Sequence, residues 1–371
     1  MRVFKYLFLY FCVVFIIQNG VGQVIDNSVV INPSFNTSPG TGQTIGGATV
    51  ALPDSIPVII NNPANLGHLR SLKALVSMNF SGVYIDPASA TENDFNNQQS
   101  NYGINVGTCA VSVPFSLFHL PWTLAASYHG KAPYDYNLGN SSILYNISGQ
   151  SHMASVGIAI RQSSKFSIGI GWTHWFGKYK WINHDLLNYQ MWSENTSYYS
   201  GNLYYIGLQN DIAEHFAFGL VFYLPYRLSV ESNTTYSDNA EYKVKQQQEY
   251  SGTLRIGLGY RFNPDWTMGL GYGYQWNQDD DRGISSISGG IEYKLKINTI
   301  SIPLYLKYES RFLPEELVYY PFSHSEESVT CHIVGFGGGI QLKNFTYYFS
   351  SQWRHCGNYL KTMYIPAPPY S

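Results

Sequence analysis

Residues 266–276 read WTMGLGYGYQW, and every second one is large and apolar. Trp266, Met268, Leu270, Tyr272, Tyr274 and Trp276 alternate with Thr267, Gly269, Gly271, Gly273 and Gln275. A side-chain period of two belongs to a strand with unlike faces. A soluble β-sandwich produces the same alternation, so the pattern alone does not separate the two. Two further features point to a membrane barrel. The apolar face carries large aromatics from one end to the other, and the run exceeds the usual globular strand while matching a tilted membrane crossing.

The pattern spreads outward in both directions. Leu254, Ile256, Leu258, Tyr260 and Phe262 alternate with Thr253, Arg255, Gly257, Gly259 and Arg261. Within 166–176 the apolar even positions face Ser167, Gly169, Gly171, Thr173 and Trp175. Residues 216–230 read as one unbroken phase through Phe218, Leu220, Phe222, Leu224, Tyr226 and Leu228. Residues 287–295 and 300–308 repeat the alternation. Tight turns are expected at 162–164, 211–214, 263–265, 296–298 and 343–344, with a slightly longer one at 115–120. Between them lie long polar segments, read as loops, at 86–100, 131–150, 177–200, 236–248, 277–283 and 312–328. Short turns at one end and longer loops at the other mark an outer-membrane barrel. The expected fold is therefore all-β, a transmembrane antiparallel barrel of about 14 strands. Thirteen are distinct, and residues 358–365 are the candidate for the last.

The ends and the composition agree. Arg2 and Lys5 precede an apolar run over 7–17, and small residues near 20–22 place a cleavage site before Gln23. That run is too short for the roughly 20 residues of a spanning helix. Charged residues make up 12% of the chain and aromatics 16%, with 32 Tyr and 34 Gly. Such a balance suits aromatic girdles and a lipid-facing wall with little charge. A net charge of −2 without a basic stripe argues against nucleic acid as a partner. The expected division is a signal peptide over 1–22, an N-terminal hatch over 23–70 and the barrel over 71–371. Residues 23–70 do not alternate and are punctuated by Gly and Pro, so they do not form a row of strands.

The run GGATVALPDSIPVIINNPANLGHLRS at 46–71, followed by MNFSGVYIDPASA at 78–90, resembles the hatch and first strand of the FadL-type transporters of hydrophobic compounds. Asn62-Pro63-Ala64 is its most specific part. The resemblance implies a 14-stranded outer-membrane barrel of a Gram-negative cell, plugged by the hatch, that passes molecules such as long-chain fatty acids. It implies lipid bilayer, lipopolysaccharide and the barrel-assembly machinery as partners, with no cofactor. The PorV-type components of type IX secretion share the hatch signature, and for them the partner is a secreted protein. The inferred inward faces are polar and small. An apolar pocket is accordingly expected from the hatch side chains Val58, Ile59, Ile60 and Leu66, or from the loops.

Other motifs yield little chemistry. Gly335-Phe336-Gly337-Gly338-Gly339 sits in an alternating strand and lacks the Lys-Ser/Thr ending of a phosphate loop, so it reads as room for a crowded lumen. Asp279-Asp280-Asp281 lacks the ligand spacing of a calcium loop, so no metal site is expected. No histidine has a serine two positions later. His152 and Ser155 would face opposite sides of a strand, and no enzyme activity is expected.

The cysteines do carry a geometric expectation. If Lys343-Asn344 is a two-residue turn, Leu342 opposes Phe345 and each later pair steps outward. Val334 then meets Trp353, Gly335 meets Gln352, and Cys331 meets Cys356 at the external rim. A disulfide between Cys331 and Cys356 is the consequence, leaving Cys109 unpaired.

Overall fold

The computed structural model describes residues 50–52, 59–83, 101–130, 134–139, 143–185, 190–238, 240–276, 283–298, 300–313, 319–320, 323–324, 329–341 and 345–356. The signal peptide, Val58, the 279–281 triplet and the segment 358–365 lie outside the described residues. The first strands are β1 (Lys73–Val83), β2 (Asn101–Leu117) and β3 (Leu120–Gly130). The short β4 (Tyr134–Gly139) precedes three long strands, β5 (Ile143–Arg161), β6 (Phe166–Asp185) and β7 (Gln190–Asp211). Next come β8 (Phe216–Tyr223), β9 (Tyr226–Tyr236), β10 (Glu241–Tyr250) and β11 (Thr253–Asn263). The rest are β12 (Trp266–Gln275), β13 (Ile284–Ile297), β14 (Ile300–Leu313), the two-residue β15 (Tyr319–Tyr320) and β16 (Ser323–His324), β17 (Val329–Gln341) and β18 (Phe345–Cys356).

Almost every pairing is antiparallel between neighbours in the chain. The pairings run from β7 through β6, β5, β3, β2 and β1 to β18, then back through β17, β14, β13, β12 and β11 to β8, which pairs β7 again. The β1–β18 contact is parallel and covers only Ala74–Ser77 against Phe345–Tyr348. With β8 and β9 counted as one crossing, β10 and β11 as another, and the short β4, β15 and β16 set aside, thirteen crossings lie among the described residues. A first and a thirteenth alternating crossing run the same way, which is the orientation of that contact.

The faces follow the period-two expectation. Leu270, Tyr272, Ile287, Ile291, Leu306 and Tyr308 are exposed on the outside, while Thr267, Gln275, Ser286, Ser288, Lys307 and Glu309 are buried inside. An exposed apolar belt of this extent is unfavourable in water and favourable in lipid. This is the architecture of a membrane-spanning β-barrel. His152 lies on the outer face, its Nδ1 2.6 Å from the Tyr128 hydroxyl, whereas Ser155 is buried and its hydroxyl is 2.7 Å from that of Thr173.

Three expectations need correction. Most of 177–200 is strand and not loop, since β6 runs for 20 residues and β7 for 22. At about 3.3 Å per residue such strands reach far beyond the roughly 25 Å apolar band of an outer-membrane barrel. Beyond the bilayer the outer face meets water, so the apolar signal disappears while the backbone ladder continues. Lys180 and Glu194, 2.8 Å apart, bridge this extension. For the same reason most of 131–150 belongs to β4 and β5, and most of 236–248 to β9 and β10.

The phase of 216–230 also breaks. Tyr205 pairs with Tyr223 and Gly201 with Leu228, so four steps on β7 match five across residues 223–228. The extra residue falls at Leu224-Pro225, between β8 and β9, where proline has no N–H for the ladder. Tyr226, Leu228 and Val230 are thereby turned inward and buried.

The β2–β3 turn is tighter than expected. Leu117 pairs with Leu120, leaving Phe118 and His119 at φ 52° and 61°. Two consecutive positive φ values define a type I′ turn, which favours Asn-Gly. Replacing Phe118-His119 by Asn-Gly is expected to stabilise the barrel by roughly 1–2 kcal/mol. The urea midpoint of the protein refolded in lipid vesicles should rise, and an unchanged midpoint would contradict strain at this turn.

Candidate functional site: hatch and lumen wall

Residues Pro63–His68 form a 3-10 helix inside the barrel, with Asn62 as its N-cap at φ −160° and ψ 108°. Asn62 Oδ1 accepts from the Ala64 N–H at 3.0 Å, a capping bond that ends the extended backbone before Pro63. Its Nδ2 donates to the Val50 carbonyl at 2.5 Å and the Leu208 carbonyl at 3.0 Å. One fully buried amide therefore joins the helix start, an earlier hatch segment and the wall strand β7. Asn65 Nδ2 donates to the Leu52 carbonyl at 3.1 Å, and the Ser167 hydroxyl donates to the Ala64 carbonyl at 2.8 Å. Gln209 Nε2 donates to the Ala51 carbonyl at 3.3 Å, and the Tyr223 hydroxyl donates to the Ile60 carbonyl at 2.6 Å. The wall thus supplies donors to the carbonyls of a segment that has no strand partner of its own.

The wall makes room for this backbone with glycine. Gly169 pairs with Gly207, and a Cβ on Gly169 would lie 2.5 Å from the Pro63 carbonyl carbon and 2.6 Å from the Ala64 nitrogen. A Cβ on Gly207 would collide with Asn62 Oδ1, and one on Gly219 with the Val50 carbonyl. Gly157 faces Ile59, and Gly259 faces Leu52. Five strands, β5, β6, β7, β8 and β11, thereby contribute one smooth inner surface on which the hatch rests. The glycine run of β17 has a similar cause, since a Cβ on Gly335 would lie 2.8 Å from Cε of Lys307.

Ile59, Ile60 and Leu66 are buried, as are Asn62, Pro63 and Ala64. Burying each of the three large apolar side chains contributes about 1.5–3 kcal/mol. They join a continuous apolar cluster with wall residues that the sequence reading did not select, namely Trp175, Tyr199, Leu203, Tyr205, Tyr223 and Tyr226. This corrects the expectation of a lumen that is only small and polar. Trp175 meets Tyr199 edge-on at 5.3 Å, Tyr205 tilts against Tyr223 at 5.3 Å, and Tyr226 stacks on Tyr250 at 4.8 Å. Tyr199 lies in the stretch read as a loop, and Tyr226 was assigned the outer face. A signal did exist: Tyr199, Leu203 and Tyr205 share one parity, which counting alternation through 190–211 would have exposed.

The opposite wall is charged. Arg311 Nε donates to Glu309 Oε1 at 2.6 Å, with Lys307 Nζ 3.8 Å from the same carboxylate. Glu292 and Lys294 pair at 3.0 Å. Near the turn end of β7, His68 Nδ1 lies 3.9 Å from Asp211. Burial holds the His68 imidazole below its ordinary range, against the opposing pull of Asp211.

An N-terminal segment tied by Asn62 to a glycine-lined barrel wall is the deciding arrangement. The fold is that of the FadL-type outer-membrane barrels. The Pseudomonas putida toluene transporter TodX superposes with a TM-score of 0.51 at 12% identity, covering 81% of this chain and 88% of that one. A Pseudomonas aeruginosa FadL homologue gives a TM-score of 0.53 at 10% identity, with 86% and 89% covered. The CymD monoaromatic hydrocarbon channel gives 0.51 at 10% identity, with 87% and 94% covered. Residues 177–316 match a family model described as "Putative MetA-pathway of phenol degradation". No curated protein matches the chain by sequence. The matched segment runs from within β6 through β14 and so includes most of the aromatic wall.

Proposed function

We propose that this barrel admits hydrophobic compounds through the outer membrane, and that its ligands are small molecules with an aromatic ring. The observation that carries the reading is the aromatic lumen wall continuous with the apolar hatch side chains. Such a surface offers an apolar solute a lower free energy than water, and its rings can pack edge-on or offset against a ligand ring. The similar proteins described as a toluene transporter and a monoaromatic hydrocarbon channel support this choice, as does the phenol wording of the family model. Long-chain fatty acids are the other ligand class within the same reading. Ile59, Ile60 and Leu66 would supply the hatch side of the pocket. The same reading sets lipopolysaccharide against the outer aromatic girdle and assigns insertion to the barrel-assembly machinery.

Uptake of labelled toluene, phenol and oleate by intact and gene-deleted cells tests it. The aromatic compounds should enter more slowly in deleted cells, and oleate should change less. Trp175→Ala combined with Tyr199→Ala should slow aromatic uptake by roughly 2- to 10-fold, the equivalent of one or two ring contacts. Exclusion of bulky antibiotics should be unchanged in that variant, because both residues lie outside the Asn62 network. Equal uptake in deleted and intact cells would remove the channel reading. A co-purifying secreted protein would then favour the PorV-type role.

A further inference from the structure

We propose that Cys331 and Cys356 are joined by a disulfide that pins the outer end of the last described strand. The β17–β18 register runs without a break from Gln341 opposite Thr346 to Cys331 opposite Cys356. No bulge intervenes, so the two cysteines are direct cross-strand partners. In a hairpin with a two-residue turn, hydrogen-bonded and non-hydrogen-bonded pairs alternate from the turn outward. Cys331 and Cys356 fall on a non-hydrogen-bonded position, where Cα atoms approach to about 4.5 Å. That spacing lies within the reach of a disulfide. Cys331 shares the parity of the buried Ile333 and Gly335, the lumen side of β17. Cys109 pairs instead with Val76 and Tyr128, three strands' pairings away from β17, and is a free thiol.

The bond has a mechanical reason. Among the described residues β1 holds β18 only over Phe345–Tyr348, so the remainder of β18 is paired on one edge alone. A covalent link at Cys356 secures the end furthest from that contact. Its formation is thiol–disulfide exchange with an exported protein disulfide. The thiolate of one cysteine attacks the oxidant's disulfide and releases one of its thiols. The second cysteine then displaces the other, so two cysteine thiols are oxidised, one oxidant disulfide becomes a dithiol, and the two thiol protons end on that dithiol.

Full-length protein in isolated envelopes, blocked with N-ethylmaleimide, then denatured and digested without reductant, provides the test by mass spectrometry. Of Cys109, Cys331 and Cys356 only Cys109 should be alkylated, and the peptides holding Cys331 and Cys356 should appear linked. In Cys109→Ala the link should persist, whereas in Cys331→Ser the thiol of Cys356 should become alkylated. Reductant added to folded wild-type protein should lower the temperature of its heat-modifiable gel shift, a readout that does not depend on either serine variant folding. Alkylation of both Cys331 and Cys356 in envelope protein would overturn the proposal, as would linkage of either one to Cys109 or to a second copy.

Discussion

Replacing Gly207 with valine is expected to unseat the hatch while leaving the barrel in the membrane. A Cβ there would collide with Asn62 Oδ1 and come within 2.9 Å of Pro63 Cδ. Neither atom can yield, because Asn62 is held by three hydrogen bonds and the proline ring is rigid. Overpacking of this kind costs about 1–3 kcal/mol. The fraction of barrels with a displaced hatch should therefore rise by roughly 5- to 150-fold, since about 1.4 kcal/mol is a factor of ten. The outer face is untouched, so insertion and heat-modifiable migration should remain. Entry of antibiotics normally excluded by size, and conductance in planar bilayers, should both increase. Gly289→Val is the control, on β13, where a Cβ would lie 3.2 Å from Leu270 Cδ2 and meet no described hatch residue. If Gly207→Val barrels stay as tight as wild type, the hatch does not seal the lumen.

Asn62 should be the most sensitive single side chain of the hatch, and the choice of replacement is diagnostic. Asn62→Ala removes the cap on Ala64 and strips a donor from the carbonyls of Val50 and Leu208. Losing the cap and leaving the buried Val50 carbonyl without this donor costs about 2–4 kcal/mol together. Aspartate is as good a cap as asparagine in general. In this position it has no proton for the two carbonyls, at 2.5 and 3.0 Å, and would set a carboxylate against them. Asn62→Asp is therefore expected to be no better than Asn62→Ala. Protease cleavage near residue 60 in vesicle-embedded protein, together with antibiotic entry, measures the loss. An aspartate variant as tight as wild type would show that Asn62 acts only as a helix cap, not as the tie between hatch and wall. Deleting residues 23–67 sets the upper limit of leakage for both experiments.

The sequence determined whatever the bilayer imposes on each strand separately. Lipid selects an apolar outer face, and strand geometry converts that demand into a period of two, legible in residues 253–262 and 266–276 alone. Short turns were visible because their residues are local, and the β17–β18 register could be counted outward from residues 343–344. Asn62-Pro63-Ala64 stood out in sequence only through a resemblance, and its role as a cap followed by proline is seen in the folded chain. Tertiary structure decided everything that depends on distant partners or lies beyond the lipid. The extensions of β6 and β7 carry no apolar stripe because water meets their outer face, yet their ladder continues. The single extra residue at Leu224-Pro225 reverses a face without altering the look of the run, and only the fixed partner β7 reveals it. The inner glycines could be seen one by one. Their common purpose could not, because Asn62 meets Leu208 across 146 residues, and Tyr223 meets Ile60 across 163, only once the sheet has curved around the hatch.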